Sequence, residues 1–232
     1  MAEITVIDII GYIIVLFVTV EVFILTIKLF KDYKKDKAQM QLLFGLTFLS
    51  LTSAVILLIN EKIFFSIVVN EYAGSWFTFL ARCAVCFAGI FIALIAIDLS
   101  YPERRKLLIT PVIITVSIFM IYAYYAIFSG YPNSWVVDGE LIHGPIAMIV
   151  QLALIIPAAN VSTVVFFYYA LINRGTSAGN RSFWMGFAIA LFSFAFSLEI
   201  APVFPLIAVP VRALYIVSAT ILYVTFMRTP KE

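Results

Sequence analysis

Apolar runs of about 20 residues recur seven times along this chain of 232 residues, each nearly free of charge. At 1.5 Å per residue, one such run crosses the ~30 Å hydrocarbon layer of a bilayer as a single helix. The runs predict helices near 4–30, 41–60, 75–98, 107–128, 144–172, 182–203 and 205–227. In lipid every backbone N–H and C=O must be bonded within a helix or a closed barrel, and these segments are too long and too uniformly apolar for barrel strands. The expected fold is an all-α membrane protein, a single seven-transmembrane-helix bundle over residues 1–232.

Composition agrees: 64% of the residues are hydrophobic and 12% charged, a balance that calls for lipid as solvent. No connection between runs exceeds roughly 16 residues, too short for the ~50 of a soluble domain, so no attached catalytic domain is expected. The acidic start Met1-Ala2-Glu3 predicts that the first run is a retained helix and not a cleaved signal peptide.

Charge gives the orientation. Lys31, Lys34, Lys35 and Lys37 follow the first run; Arg104, Arg105 and Lys106 follow the third; Arg174 and Arg181 follow the fifth; Arg228 and Lys231 follow the seventh. The alternate connections hold Lys62 as their one basic residue, with Glu61, Glu71, Asp138 and Glu140. The positive-inside rule then places the N-terminus outside and the C-terminus in the cytoplasm. The basic residues form no continuous nucleic-acid footprint. The setting this predicts is the cytoplasmic membrane of a prokaryote, with the lipid bilayer as the main partner.

Tyr101, Tyr168, Tyr169 and Trp184 fall near the inner boundary and Trp76, Tyr124, Tyr131 and Trp135 near the outer one, where amphipathic rings anchor a helix. Between Trp135 and Ile142 an Asp138-Gly139 pair with apolar flanks predicts a two-residue hairpin over the outer mouth. The stretch Ile63 to Val69 fits either an interfacial segment or a second short hairpin.

Ionisable groups inside a bilayer cost roughly 2.5–3.5 kcal/mol to insert, so Glu21, Arg82, Glu199 and Arg212 are the most informative residues. By residue depth, Arg82, Glu199 and Arg212 fall in one outer layer. Cys86, Gly89, Ala93 and Ala96 share the face of Arg82, and Tyr215 shares that of Arg212. Two readings stand side by side. The layer is a buried network that sets helix register, or its excess positive charge holds an anionic or amphipathic small molecule. Glu21, in the inner half of the first helix, reads either as a carboxyl bonded to a hydroxyl at the depth of Thr47, Ser50 or Tyr223, or as a proton or ion site. Asp98, at the inner boundary, reads as solvated. Pro157, followed by Asn160, Ser162 and Thr163, reads as a kink whose freed backbone groups these side chains satisfy.

Cys83 and Cys86 read as packing residues, because a zinc site needs further ligands that this segment lacks. One histidine, His143, cannot build a multi-histidine metal site or a bis-histidine haem. No serine–histidine pair at one depth, no Gly-rich phosphate loop and no paired intramembrane aspartates are found, so neither an enzyme nor a cofactor nor a resident metal is expected.

Two families share features with the chain. Its helix order, the Asp-Gly loop leading into His143-Gly144-Pro145 and the turn Tyr101-Pro102-Glu103-Arg104-Arg105 resemble the N-terminal seven-helix sensor region of some histidine kinases. That resemblance implies a ligand-sensing module whose seventh helix passes a signal to a cytoplasmic kinase; since the sequence stops shortly after Arg228, either a separate cytoplasmic signalling protein supplies the output or the chain is a fragment of a longer protein. Arg82 early in the third helix and Val217-Ser218-Ala219-Thr220 near the end of the seventh are similar to microbial rhodopsins. Thr220 stands where that family carries its retinal lysine, and Ile216 where it carries an aspartate counterion, so no retinal Schiff base is expected. The resulting expectation is a receptor- or sensor-like protein that binds its ligand in the outer half of the bundle. The alternatives are a transporter or channel that uses Glu21, and a structural subunit of a membrane complex.

Overall fold

The structure, a computed structural model, describes residues 6–128, 134–137, 140–143, 160–200 and 205–227. Within these the chain is helical: α1 (Val6–Asp36), α2 (Gln39–Ser66), α3 (Glu71–Ser100), α4 (Arg105–Phe128), α5 (Asn160–Ile172), α6 (Ser177–Ile200) and α7 (Pro205–Met227). A short hairpin, β1 (Ser134–Val137) with β2 (Glu140–His143), lies between α4 and α5. Its strands are antiparallel, pairing Trp135 with Ile142 and Val137 with Glu140 around the Asp138-Gly139 pair, and β2 approaches α2. Asp138 and Gly139 themselves, the first part of the expected fifth helix and Pro157 lie outside the described residues.

Segments 39–65, 71–100 and 102–125 are long and apolar enough to cross a membrane. The surface of α4 shows why lipid is its solvent. Ile114, Ile118, Ile121 and Tyr125 are each more than half exposed and share one side of the helix, an outward apolar stripe that water would not tolerate.

The helix ends have local causes. Lys34 and Lys35 sit in the last turn of α1, where cations favour the exposed carbonyls, and Lys37 closes the helix in the left-handed region (φ 57°) while its N–H donates to the Tyr33 carbonyl (2.8 Å). Apolar residues continue past position 60, so α2 runs on to Ser66. The stretch from Ile63 is thus not a hairpin: Ile63 to Ser66 form the last turn of α2, and Ile67 to Val69 lead out of it. Val69 then turns the chain with φ 53°, and the Asn70 side chain accepts from Ala73 N–H (3.1 Å) to start α3. Between α5 and α6, Gly175 takes φ 86°; Thr176 Oγ1 donates to the Asn173 carbonyl (2.7 Å) and accepts from Gly179 N–H (3.0 Å).

Consecutive helices α1 to α4 pack side by side, α6 packs on α7, and α7 packs on α1. The main core joins Leu25 and Leu29 of α1, Leu43, Phe44 and Phe48 of α2, Ile95 of α3, Phe166 of α5, Met185 and Ala188 of α6, and Leu222 of α7. Phe44 stacks against both Phe48 and Phe166. At the opposite end of α3 and α4, the rings of Tyr72, Trp76, Phe79, Tyr124 and Phe128 form an aromatic cluster, with Trp76 and Phe128 centroids 4.8 Å apart.

Candidate functional site

The face of α3 that carries small residues does not close on its neighbours. Cys86, Gly89, Ala93 and Ala96, at helical spacing, border a cavity of about 610 Å³ walled by α2 through α7. A Cβ placed on Gly89 would meet no atom within 4 Å, so this position faces open space. The opposing walls are Phe44, Thr47 and Phe48 of α2, Val112, Val116 and Phe119 of α4, Val161 and Val165 of α5, Ile189 and Phe192 of α6, and Leu222 of α7. The lining is almost wholly apolar, and the threonines do little to change that: Thr47 Oγ1 is spent on the Leu43 carbonyl of its own helix (2.9 Å). Such a space selects for shape and apolar surface, not for charge.

The cavity extends along α3 from Val85 to Tyr101, towards the basic end of the bundle. The expected ligand site lay at the other end of α3, around Arg82. Arg82 and Tyr215 are not lining residues of the cavity, although Cys86, one turn on from Arg82, is, and Tyr215 packs on the lining residue Phe192 with ring centroids 5.1 Å apart. The Arg82 guanidinium has Glu61 of α2 as its carboxylate neighbour, with Cys86 and Tyr122 also within electrostatic range. Its Nη1 atom is buried. Glu61 escaped the sequence reading because the second helix was ended at residue 60, which put this carboxylate in a loop. The apolar Ile63, Phe64 and Phe65 that follow were the available signal for a longer helix. The side chains of Glu199 and Arg212 lie outside the described residues; their backbones belong to α6 and α7.

Glu21 meets a hydroxyl, but not one of the three expected at its depth. Thr220 of α7 donates to its two carboxylate oxygens, at 3.4 and 3.2 Å. This contact joins the first helix to the last. Two residues before Thr220, Ser218 Oγ donates to the Ala188 carbonyl (2.8 Å) with both residues fully buried, which ties α7 to α6. On α5 the fully buried Ser162 donates across to the Ile92 carbonyl of α3 (3.4 Å), so its hydroxyl joins two helices.

Asp98 keeps part of its exposure and also gains a partner. It is 16% exposed at its side chain and pairs with Arg105 Nε (3.4 Å). With its amide oxygen turned to the guanidinium, Gln39 also accepts from Arg105, at 2.9 Å from Nη2. The starts of α2 and α4 and the end of α3 are therefore gathered at the basic end of the cavity. The thiols of Cys83 and Cys86 are free, and no cluster of metal-ligating side chains occurs among the described residues.

No protein-family model, no curated protein and no solved structure matches the chain. Function must therefore be argued from the cavity and its surroundings.

Proposed function

We propose that this is a receptor- or sensor-like membrane protein that holds an apolar or amphipathic small molecule within its helical bundle and signals to a cytoplasmic partner. The observation that carries the reading is the cavity of about 610 Å³, within the size range of ligand sites and walled by six of the seven helices. An occupant touches Ile189, Phe192 and Ser193 of α6 and Leu222 of α7, so filling the space acts directly on the two helices locked together by Ser218. A ligand that fits one spacing of these helices better than another shifts the bundle towards it. The resemblance to sensor regions of histidine kinases points the same way. The proposal includes seven membrane crossings in the cytoplasmic membrane, with the N-terminus outside; a C-terminal fluorescent fusion should light up and an N-terminal one exported through the same route should not.

The functional test measures helix spacing. Spin labels at the lipid-exposed positions Ile118 of α4 and Phe194 of α6, with Cys83 and Cys86 replaced by alanine, should show a distance distribution that changes when delipidated protein is given membrane lipid extract. An identical distribution with the cavity empty, filled or blocked by a large side chain at Gly89 would end the receptor reading.

A transporter reading is favoured by one observation, the Glu21 carboxylate held by Thr220 inside an apolar span. Proton or cation flux into proteoliposomes that is lost in Glu21→Gln would establish it in place of the receptor.

A further inference from the structure

The cavity has a size, an entrance and a polar end, and together these name its occupant. Taking about 30 Å³ as the share of one water-sized group, 610 Å³ accommodates roughly 20 such groups, the size of one long hydrocarbon chain and not two. Along α3 the lined stretch from Val85 to Tyr101 covers about 24 Å at 1.5 Å per residue, so the space is elongated in the direction of the membrane normal.

The entrance is lateral. Most lining residues are buried or half-buried; apart from Ser100 and Tyr101 at the end of α3, those that are exposed while bordering the cavity are Pro111 and Thr115, one turn apart on α4, and Val161 on α5. That places an opening between α4 and α5, on the side where the apolar stripe of α4 faces lipid. A hydrophobic molecule dissolved in the bilayer reaches this opening without entering water.

The polar end is set by the connection between α3 and α4. Ser100 and Tyr101 on one side and Leu108 on the other line the cavity, and the turn between them carries Arg104, Arg105 and Lys106. Arg105 is already engaged by Asp98 and Gln39. Arg104 and Lys106, three and five residues on from the exposed Tyr101, are themselves exposed and can meet a negative headgroup. Lys31, Lys34, Lys35 and Lys37 add to the positive field at the same end.

We infer that the ligand is an anionic lipid with one long chain, its tail threaded from the bilayer through the α4–α5 opening and lying along Gly89, Ala93 and Ala96, its carboxylate or phosphate head at Tyr101 beside Arg104 and Lys106. This rests on the cavity being a ligand site and adds the chemistry of what fills it.

The test uses the full chain, delipidated and reconstituted in detergent, with the polyene fatty acid cis-parinarate as a fluorescent probe and oleate, lysophosphatidylglycerol and oleyl alcohol as competitors. Gly89→Phe, which fills the tail path, should weaken binding of the probe about tenfold or more relative to wild type. Thr115→Trp, which narrows the opening from a lipid-exposed position, should slow binding and serves if Gly89→Phe does not fold. The double variant Arg104→Gln, Lys106→Gln should weaken the better of the two anionic competitors about tenfold and leave oleyl alcohol unchanged. Oleate competing better than the lysolipid assigns the head as a carboxylate, and the reverse as a phosphate. Equal competition by oleyl alcohol and the anions, with no effect of the double variant, overturns the anionic head while the apolar site stands. Failure of every probe to bind wild type, or binding indifferent to both Gly89→Phe and Thr115→Trp, overturns the inference and the ligand site together.

Discussion

Thr220 of α7 places its hydroxyl against both carboxylate oxygens of Glu21 on α1, at 3.4 and 3.2 Å, across 199 residues of chain. The contact joins the first and last helices, which also pack side by side. Within lipid such an interhelical hydrogen bond contributes about 0.6 kcal/mol on average, so Thr220→Val should lower the unfolding free energy by about that much. Unfolding in mixed micelles, in a cycle with Glu21→Gln, measures it. Additive effects of the two substitutions would show that the pair is not coupled.

Arg82 of α3 and Glu61 of α2 form a charged relationship between helices. Because a partly buried charge loses much of its compensation when its neighbour is neutralised, Glu61→Gln should destabilise the bundle more than a surface change would, by about 1 kcal/mol or more. Arg82→Gln in the Glu61→Gln background should then add less than it does alone. Denaturation of the four proteins of the cycle reads this directly. A Glu199→Gln variant run beside them reports whether the carboxylate of α6 belongs to the same network.

Two glycines predict opposite responses to the same substitution. At Gly89 a methyl group meets open space in a helix interior, so Gly89→Ala should stabilise by about 0.8–1 kcal/mol from backbone propensity. At Gly179 the added Cβ would clash with the Asn173 carbonyl oxygen, a contact that only movement of the α5–α6 turn can relieve. Gly179→Ala should lower the melting temperature or the yield of folded protein. Equal melting temperatures for the two variants would contradict the packing described for both sites.

Val69 occupies the left-handed region, with φ 53°, where a β-branched side chain is strained, and it is 76% exposed. Little packing is lost on its removal. Val69→Gly should therefore be neutral or stabilising by up to about 1 kcal/mol, against the usual penalty for introducing glycine. A thermal melt that falls by several degrees would argue against this turn conformation.

Much of the architecture was legible because the bilayer imposes a coarse rule on every residue of a crossing segment. Uniform apolarity marked helices whose cores coincide with α1 to α4, α6 and α7, and the Asp138-Gly139 pair marked the hairpin between β1 and β2. Helix ends were less legible, since α2 gains its last turn from Ile63 to Ser66, where apolar residues follow two charged ones. The face of α3 bearing Cys86, Gly89, Ala93 and Ala96 was also readable, because helical periodicity alone puts these residues on one side. That they border a void and do not pack tightly against a neighbour was not readable.

By itself the sequence determined the solvent, the secondary structure and the residues that are costly to bury, since each follows from the side chain and its local spacing. The partners of those residues were decided only by the tertiary structure: Thr220 for Glu21, Glu61 for Arg82, Arg105 for Asp98, the Ala188 carbonyl for Ser218. So was the cavity. Depth along a helix constrains one coordinate, whereas a contact depends also on which way each helix is rotated and which helices are neighbours. In lipid an apolar outer face and an apolar inner face look alike in composition, and only the packed bundle tells them apart.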